Sequence, residues 1–159
     1  MKNSIKSDSI TLAHILTPDR VVFIEERTKE AALIRMVDVL SSAKEVTDRD
    51  DLLTHIFYRE ELMSTGIGMG IAIPHTRIKS VDDLVVAFGI CRTPLTDYQS
   101  LDEAPVKLII MIAAESQQHA QHIKTLSMVT RILKDKQRYQ GIISATNEDD
   151  VYKILTGAL

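Results

Sequence analysis

The residues best suited to chemistry lie in the segment 64–75. It reads Ser-Thr-Gly-Ile-Gly-Met-Gly-Ile-Ala-Ile-Pro-His, so three alternating glycines lead into a short apolar strand that ends at a proline. The last residue, His75, is therefore predicted to stand at a rigid strand end. An imidazole in such a place can act near neutral pH as a base, a metal ligand or a nucleophile. From the strand end and the proline alone, an ordinary turn histidine with a satisfied hydrogen bond is an equally good interpretation.

The glycines favour an anion site over an ordinary turn. Gly66, Gly68 and Gly70 permit positive φ angles and the close approach of another group. The N–H of Gly66 and the hydroxyls of Ser64 and Thr65 are then candidates to bind a phosphate. The spacing differs from the dinucleotide pattern G-x-G-x-x-G, and no glycine in the chain is followed by lysine, so the sequence also lacks a Walker phosphate loop.

Two arginines flank this segment. Arg59 lies near the end of a predicted helix just before the glycines, and Arg77 lies two residues beyond His75. A helix-end arginine is most often solvated, or it compensates the helix dipole. Beside a histidine that carries a phosphate, however, the planar guanidinium would bind the oxyanion well. Both arginines are therefore candidate phosphate ligands.

A second pair of histidines opens a long predicted helix. His119 and His122 are three residues apart, which puts their rings on neighbouring positions of one helix face. The simplest interpretation is a half-exposed pair that covers the first turn, although a helix N-terminus also attracts anions. With His75 as a third ligand, the pair would complete a three-histidine zinc site. Neither His-Glu-x-x-His nor paired cysteines occur, so a metal-dependent hydrolase is the weakest of the alternatives.

The composition bounds the compartment and the class of partner. The chain has 159 residues, 45% hydrophobic and 26% charged, as expected for a single domain over residues 1–159 with a sizeable core. Its net charge of -3 argues against nucleic acid as a partner, because no basic excess is present to displace counterions. The longest apolar run, 108–114, is too short for membrane insertion, and the polar N-terminus does not resemble a signal peptide. With Cys91 as the single cysteine, these features predict a cytoplasmic protein.

The first half of the chain is predicted to hold a strand and two helices. A strand over 21–24 follows from its β-branched content, after a polar segment, 1–8, that we expect to be frayed. Thr28 is predicted to cap a helix that runs to about residue 43.

The second helix is predicted to begin at Thr47 and to run to about Met63, with an acidic first turn that suits the helix dipole. Its inward-facing positions are expected to be Leu52, Ile56 and Met63, and Gly66 is expected to terminate it.

The second half is predicted to supply the sheet and two more helices. Strands are expected over 70–73, 84–91 and 106–114, the last two as continuous apolar runs typical of strands covered on both faces. A surface connection, 93–105, separates them. A helix is expected over 117–134, with one stripe of positions on its surface, namely His119, His122, Leu126, Val129 and Leu133. Asn147 should cap a last helix that ends near Gly157. Together these elements predict an α/β domain, a mixed central sheet flanked by helices on both faces.

Two segments carry a family resemblance. Residues 59–75 read Arg-Glu-Glu-Leu-Met-Ser-Thr-Gly-Ile-Gly-Met-Gly-Ile-Ala-Ile-Pro-His, and residues 122–129 read His-Ile-Lys-Thr-Leu-Ser-Met-Val. They resemble the signature and the second histidine motif of the fructose/mannitol-type enzyme IIA domain of the bacterial phosphoenolpyruvate-dependent phosphotransferase system. The resemblance covers roughly residues 10–156 and implies a mixed sheet flanked by helices.

The resemblance also implies a role for each site residue. His75 would accept and donate the phosphoryl group, with Arg59 and His122 beside its ring, and no cofactor or metal would be needed. The phosphate would come from the histidine-containing phosphocarrier protein and pass to a cysteine of an enzyme IIB partner. Phosphoryl transfer has a loose transition state that positioning and charge can stabilise. Because the donor is a protein, we expect a shallow exposed site with an apolar rim formed by Ile67, Met69 and Ile71.

Two functional classes remain open at this stage. One is a sugar-transport phosphocarrier, and the other is a nitrogen-type regulator that binds target proteins according to its phosphorylation state. The segment 64–75 and the second histidine motif resemble the regulatory branch best, and a chain without fused IIB or membrane domains is typical of it. Thr76 and Arg77 depart from that branch, which often has glycine and lysine at these positions. We favour the regulatory interpretation on this balance.

Overall fold

One mixed sheet is the frame to which the other elements attach. The computed structural model describes residues 11–157. Within that range the strands are β1 (Val21–Ile24), β2 (Gly66–Gly68), β3 (Ile71–Ala72), β4 (His75–Arg77), β5 (Val85–Leu95) and β6 (Val106–Ala114). Their order is β1-β5-β6-β3-β2, and β4 also pairs with β6. The expectation of a frayed segment 1–8 concerns residues outside the described range.

The central strand β6 places the candidate site. It pairs antiparallel with β5 and parallel with both β3 and β4, which follow one another along the same edge. Ile71 lies opposite Leu108 and His75 opposite Ile112, so the chain from β3 to β4 tracks β6. Pro74 separates the two short strands because its nitrogen has no hydrogen to donate to a ladder. His75 therefore opens a strand of its own at the carboxyl end of β6.

Helices cover both faces of the sheet, as predicted. One face packs against α2 (Lys29–Leu40) and α3 (Arg49–Leu62). The other packs against α1 (Leu12–Ile15), α4 (His119–Lys134), α5 (Lys136–Ser144) and α6 (Glu148–Thr156). Along β5, Ala87 points to the first layer and Phe88 to the second. Because both faces are buried, β6 and the first seven residues of β5 are almost entirely apolar, whereas residues 92–94 of β5 are exposed. The predicted bounds of β1 and β6 are confirmed.

The predicted N-cap of α3 and one of its predicted inward positions are wrong, whereas its end lies within one residue of the prediction. Asp48 rather than Thr47 caps the helix, its carboxylate accepting from the N–H of Asp51, while Thr47 bonds instead to the carbonyl of Ser80. At the other end the helix stops at Leu62 without a glycine, and Met63 is 70% exposed rather than inward. The inward positions Leu52 and Ile56 are confirmed.

Gly66 lies in β2 and does not terminate α3. A Cβ atom built on it would lie 2.2 Å from the carbonyl oxygen of Gln99, so only glycine allows these two segments to approach this closely. The predicted connection 93–105 is also shorter than expected, because β5 continues to Leu95.

Two described helices on the second face of the sheet were not predicted, the short α1 and the helix α5. Asp135 caps α5 by accepting from the N–H of Arg138, and Asn147 caps α6 as expected, with Gly157 in a left-handed conformation after it. On α4 only part of the predicted stripe is buried, namely His122, Val129 and Leu133. His119 is exposed and Leu126 half-buried. The buried stripe consists of His122, Thr125, Val129 and Leu133.

Candidate active site

A cleft of about 440 Å³ opens where β4 meets the last turns of α3 and the first turn of α4. It brings together Arg59 from α3, His75 and Arg77 from β4, and His122 from α4. These four residues were all predicted from sequence as site residues, although they come from three elements. No carboxylate is among the described residues that line the cleft. The arrangement therefore suits an anion.

The ring of His75 has a defined tautomer. Its Nδ1 lies 2.7 Å from the carbonyl oxygen of Ile73. A carbonyl only accepts, so Nδ1 carries the proton and Nε2 keeps a free lone pair. Burial lowers the pKa of His75, and the cations of Arg59 and Arg77 lower it further against the opposing effect of the Ile73 hydrogen bond. The ring is therefore neutral near pH 7, with Nε2 available as a nucleophile.

His122 contacts His75 edge to face. The ring centroids are 5.1 Å apart and the planes are inclined by 76°. The side chain is buried, and its Nε2 has no hydrogen-bond partner among the described residues. Burial lowers its pKa to about 4, and His75, when protonated, and the cation of Arg77 act in the same direction. A buried, unpartnered ring nitrogen is costly unless a ligand engages it in the working state.

The two guanidinium groups are held in place by neighbouring groups. Arg59 Nη1 donates to the carbonyl oxygen of Met63 at 2.7 Å, which ties it to the loop after α3. Arg77 Nη1 donates to Nδ1 of His119, so the exposed histidine of the predicted pair orients this arginine. Two cations within one cleft make it a strongly electropositive site.

The other predicted phosphate ligands are not brought into the cleft. The hydroxyl of Ser64 donates to the carbonyl of Gln99, and the hydroxyl of Thr65 donates to the carboxylate of Glu60. The N–H of Gly66 points to the hydroxyl of Ser64 at 3.4 Å. Their polar atoms are engaged within the fold, so the candidate phosphate ligands reduce to Arg59, Arg77 and His122.

The glycine turn lies at the far end of the sheet from His75. Gly68 and Gly70 do take positive φ, at 99° and 76°, and Met69 between them is left-handed as well. The register along β6 separates Ile71 from His75 by four residues, or about 13 Å at the usual rise per strand residue. The expected rim of Ile67, Met69 and Ile71 is therefore wrong, and Ile71 is buried in the core.

The apolar rim comes from helix residues instead. Tyr58 and Leu62 on α3 and Ile123 on α4 line the cleft and are 60%, 65% and 67% exposed. Sequence reasoning missed them, although a signal was present. Tyr58 and Leu62 are four residues apart and so share one face of α3, which differs from the face of the buried Leu52 and Ile56.

Within residues 11–157 no group of three His, Cys, Asp or Glu side chains is arranged to hold a metal ion, so the three-histidine zinc site is not assembled. In the same range no helix has both the length and the apolar character needed to cross a membrane.

Acid should weaken the fold between about pH 6.5 and pH 4 through His122. The unfolded chain binds a proton there near the ordinary pKa of about 6.5, whereas the folded pKa is lowered to about 4. The unfolded state therefore holds more protons in this interval, and stability falls as pH falls. We expect His122→Gln to reduce this acid-dependent decrease in the free energy of unfolding by on the order of 1 kcal/mol, once solvent screening is allowed for. Urea unfolding at several pH values measures it, with the exposed His14→Gln as control. Equal pH slopes for both variants would contradict the expectation.

A family model and several known proteins match most of this chain. Residues 14–158 match the family described as "Phosphoenolpyruvate-dependent sugar phosphotransferase system, EIIA 2". The fructose-specific EIIABC component of Bacillus subtilis (strain 168) is 37% identical over 132 residues, which are 83% of this chain and 21% of that protein. This chain thus spans about a fifth of that relative. The fructose-specific EIIA component of Haloferax volcanii is 30% identical over 92% of this chain and 96% of its own length.

Nitrogen regulatory proteins and a mannitol enzyme IIA match this chain as well. The nitrogen regulatory protein of Klebsiella oxytoca is 35% identical over 106 residues, 65% of this chain and 64% of that protein. The crystal structure of nitrogen regulatory protein IIA-Ntr from Neisseria meningitidis superposes with a TM-score of 0.84 at 27% identity, covering 91% of this chain and 99% of that one. An Escherichia coli mannitol enzyme IIA, solved in complex with phosphorylated enzyme IIB, shares the fold with a TM-score of 0.73 at 22% identity, over 90% and 99% of the two chains. The chain belongs to the type 2 enzyme IIA family of the phosphoenolpyruvate-dependent phosphotransferase system, whose members are phosphotransferase components that carry phosphohistidine.

Proposed function

We propose that His75 accepts a phosphoryl group on Nε2 and passes it to a second protein. The observation that carries this proposal is the hydrogen bond from Nδ1 to the carbonyl of Ile73, which leaves Nε2 as the free nucleophile. The cleft around it holds two guanidinium groups and no carboxylate from the described residues.

The transfer needs no proton relay on His75. The neutral Nε2 attacks the phosphorus of a phosphohistidine donor whose other ring nitrogen is protonated. The donor N–P bond breaks and the donor ring leaves as a neutral imidazole, while the new N–P bond forms on Nε2. His75 keeps the proton on Nδ1, so its ring takes over the positive charge that the donor ring loses. Charge on the transferred oxygens is neutralised by Arg59 and Arg77, and a proton on Nε2 of His122 would donate to one of them. Because the transition state is loose, this positioning and neutralisation are the main catalytic contributions.

The donor is proposed to be the histidine-containing phosphocarrier protein. The test is to incubate the chain with phosphoenolpyruvate, enzyme I and that carrier, and to measure the intact mass. One acid-labile, base-stable phosphoryl group is expected. Failure of the native chain to gain it under conditions that phosphorylate the carrier would overturn the proposal. We also propose a cytoplasmic location, in line with the composition and the single cysteine.

Exposed apolar side chains beside the cleft are proposed to dock the protein donor. Truncating Leu62 to serine removes apolar area that a partner would bury. We expect the half-saturating donor concentration to rise about tenfold, with the limiting transfer rate unchanged, because Leu62 does not touch the phosphoryl group. Rapid-quench kinetics over a range of donor concentrations measure both quantities.

Leu101→Ser is the matched control for this prediction. Leu101 is 84% exposed, in the loop after β5 that contacts β2, and it does not line the cleft. A rise in half-saturating concentration equal to that of Leu62→Ser would show that the effect is not specific to the cleft rim.

We propose that the chain acts, once phosphorylated, as a nitrogen-type regulatory enzyme IIA. In this role it would bind target proteins according to the phosphorylation state of His75. The TM-score of 0.84 to IIA-Ntr supports this reading. The alternative is a sugar-transport enzyme IIA that passes phosphate to an enzyme IIB cysteine, supported by the fructose-specific relatives. Mixing the phosphorylated chain with fructose- and mannitol-class IIB proteins separates them: rapid loss of the phosphoryl group to a IIB cysteine favours transport, and its retention favours regulation.

A further inference from the structure

A buried carboxylate lies directly behind the cleft, and the chemistry proposed above does not use it. Glu60 follows Arg59 on α3 and is 6% exposed. Its Oε1 accepts from the N–H of Thr65 at 2.9 Å and lies 3.1 Å from Nζ of Lys29. Its Oε2 accepts from the hydroxyl of Thr65 at 2.7 Å. A buried carboxylate without such partners would be strongly destabilising, so this set of bonds fixes the geometry of the loop.

Tyr98 closes the cluster on its inner side. Its hydroxyl lies 2.8 Å from the hydroxyl oxygen of Thr65. Because the Thr65 hydroxyl donates to Glu60, Tyr98 must be the donor of this second bond. The ammonium of Lys29 lies 4.5 Å from the centre of the Tyr98 ring. Each member is thereby held by at least two others, which makes the cluster rigid.

From this cluster a series of bonds leads to the ring of His75. The carbonyl of Thr65 accepts from the N–H of Ile73 at 3.1 Å, and the carbonyl of Ile73 accepts from Nδ1 of His75 at 2.7 Å. The position of the carbonyl that selects the His75 tautomer thus depends on where Glu60 holds Thr65.

The same loop also holds the first arginine of the cleft. Arg59 donates to the carbonyl of Met63, which lies between Glu60 and Thr65 along the chain. When Glu60 closes the loop 60–65, it therefore fixes the acceptor that orients the guanidinium.

We propose that Glu60 is a positioning residue for phosphoryl transfer, which acts on His75 through Thr65 and Ile73 and on Arg59 through the loop 60–65. The transfer role rests on the proposed function, whereas the effect on the His75 ring is a property of the unphosphorylated chain. Replacing a carboxylate that only stabilised the helix end would leave the tautomer of His75 unchanged, so the tautomer is the readout that separates positioning from stability.

The first test is nitrogen NMR of the His75 ring in the unphosphorylated protein. Native protein should show the Nδ1–H tautomer, and Glu60→Gln should show a mixture. The His75 ring of this variant should titrate at lower pH than that of the native protein, because the negative charge that favours the protonated ring is lost. The charged and titratable groups around this ring are His55, Tyr58, Arg59 and Glu60 from α3, Arg77 from β4, and His119 and His122 from α4. Glu61→Gln is the matched control, since it removes the same charge from the exposed neighbour.

The second test is the rate of phosphoryl transfer from the phosphorylated carrier protein. Glu60→Gln should lower the limiting rate about tenfold to hundredfold, as a small misplacement of reacting groups does. The half-saturating donor concentration should stay within about twofold, because the apolar rim side chains Tyr58, Leu62 and Ile123 are all retained. Glu61→Gln should match native protein in both quantities.

The inference is overturned if Glu60→Gln keeps the native tautomer and limiting rate, or if it changes only the half-saturating concentration. Should that variant fail to fold, Thr65→Val and Thr65→Ser decide, since valine removes the hydroxyl and serine keeps it. A slower limiting rate and a mixed tautomer in Thr65→Val alone support the inference, and identical behaviour of the two overturns it. A native chain that takes up no phosphate would overturn the proposed function, and the NMR test would still decide the effect of Glu60 on His75.

Discussion

Replacing His75 with asparagine should abolish phosphoryl uptake. The amide nitrogen of asparagine can take the place of Nδ1 and donate to the carbonyl of Ile73, so the local hydrogen bond survives. The variant has no atom in place of the nucleophilic Nε2. Loss of a nucleophile removes the reaction rather than slowing it modestly, so we expect a fall of at least about a thousandfold, to the limit of detection.

Intact mass after incubation with phosphoenolpyruvate, enzyme I and the carrier protein measures this loss. His14→Asn is the control, because His14 is an exposed histidine on the short helix α1 and does not line the cleft. The control should gain one phosphoryl group like native protein. An acid-labile phosphoryl group on folded His75→Asn would show that another residue is the acceptor.

Replacing Arg59 should give the next largest loss. Removing a donor aimed at developing charge costs about a hundredfold to a thousandfold in rate, and we expect this for Arg59→Met. Arg59→Lys keeps the charge but not the planar fork that binds two oxygens, so it should recover only part of the rate. Because the cation of Arg59 lowers the pKa of His75, its removal raises that pKa. The acid side of the rate profile should then move to higher pH, opposite to the shift expected for Glu60→Gln.

Single-turnover transfer at saturating donor, measured across the pH range, tests both parts of this prediction. Arg49→Met is the control at the start of the same helix, where an exposed arginine pairs with Asp38 and Asp50. Exposed pairs of this kind contribute little to stability, so the control should transfer at the native rate. Arg59→Met with the native rate and pH profile would remove Arg59 from the proposed mechanism.

Elements set by local sequence were predictable. The run 106–114 is apolar because both faces of β6 are buried, and its bounds are confirmed. Thr28 and Asn147 cap their helices through side chains that reach a backbone N–H only three residues away. Such features depend on neighbours in the chain, and the pattern of residue types is enough to indicate them.

Elements held by distant partners were missed. The helix α5 has no strong apolar period of its own, and it is anchored by Ile142 in the core and by the hydroxyl of Tyr139, which donates to the carbonyl of Met69 at 2.7 Å. Thr47 was predicted as a cap and serves instead as a partner of Ser80, 33 residues further on. In both cases tertiary contacts override local propensity.

The sequence by itself determined which chemistry is available, namely an imidazole, a second imidazole and two guanidinium groups in motifs shared with a phosphohistidine family. Only the tertiary structure decided how these groups are used. The pairing of β4 with β6 brings His75 beside His122, and the bond to Ile73 selects Nε2 as the free nitrogen. The hydroxyl next to the glycines, on Thr65, turns inward to Glu60. The physical reason is that residue type fixes what a side chain can donate or accept, whereas its direction depends on partners that folding brings from far along the chain.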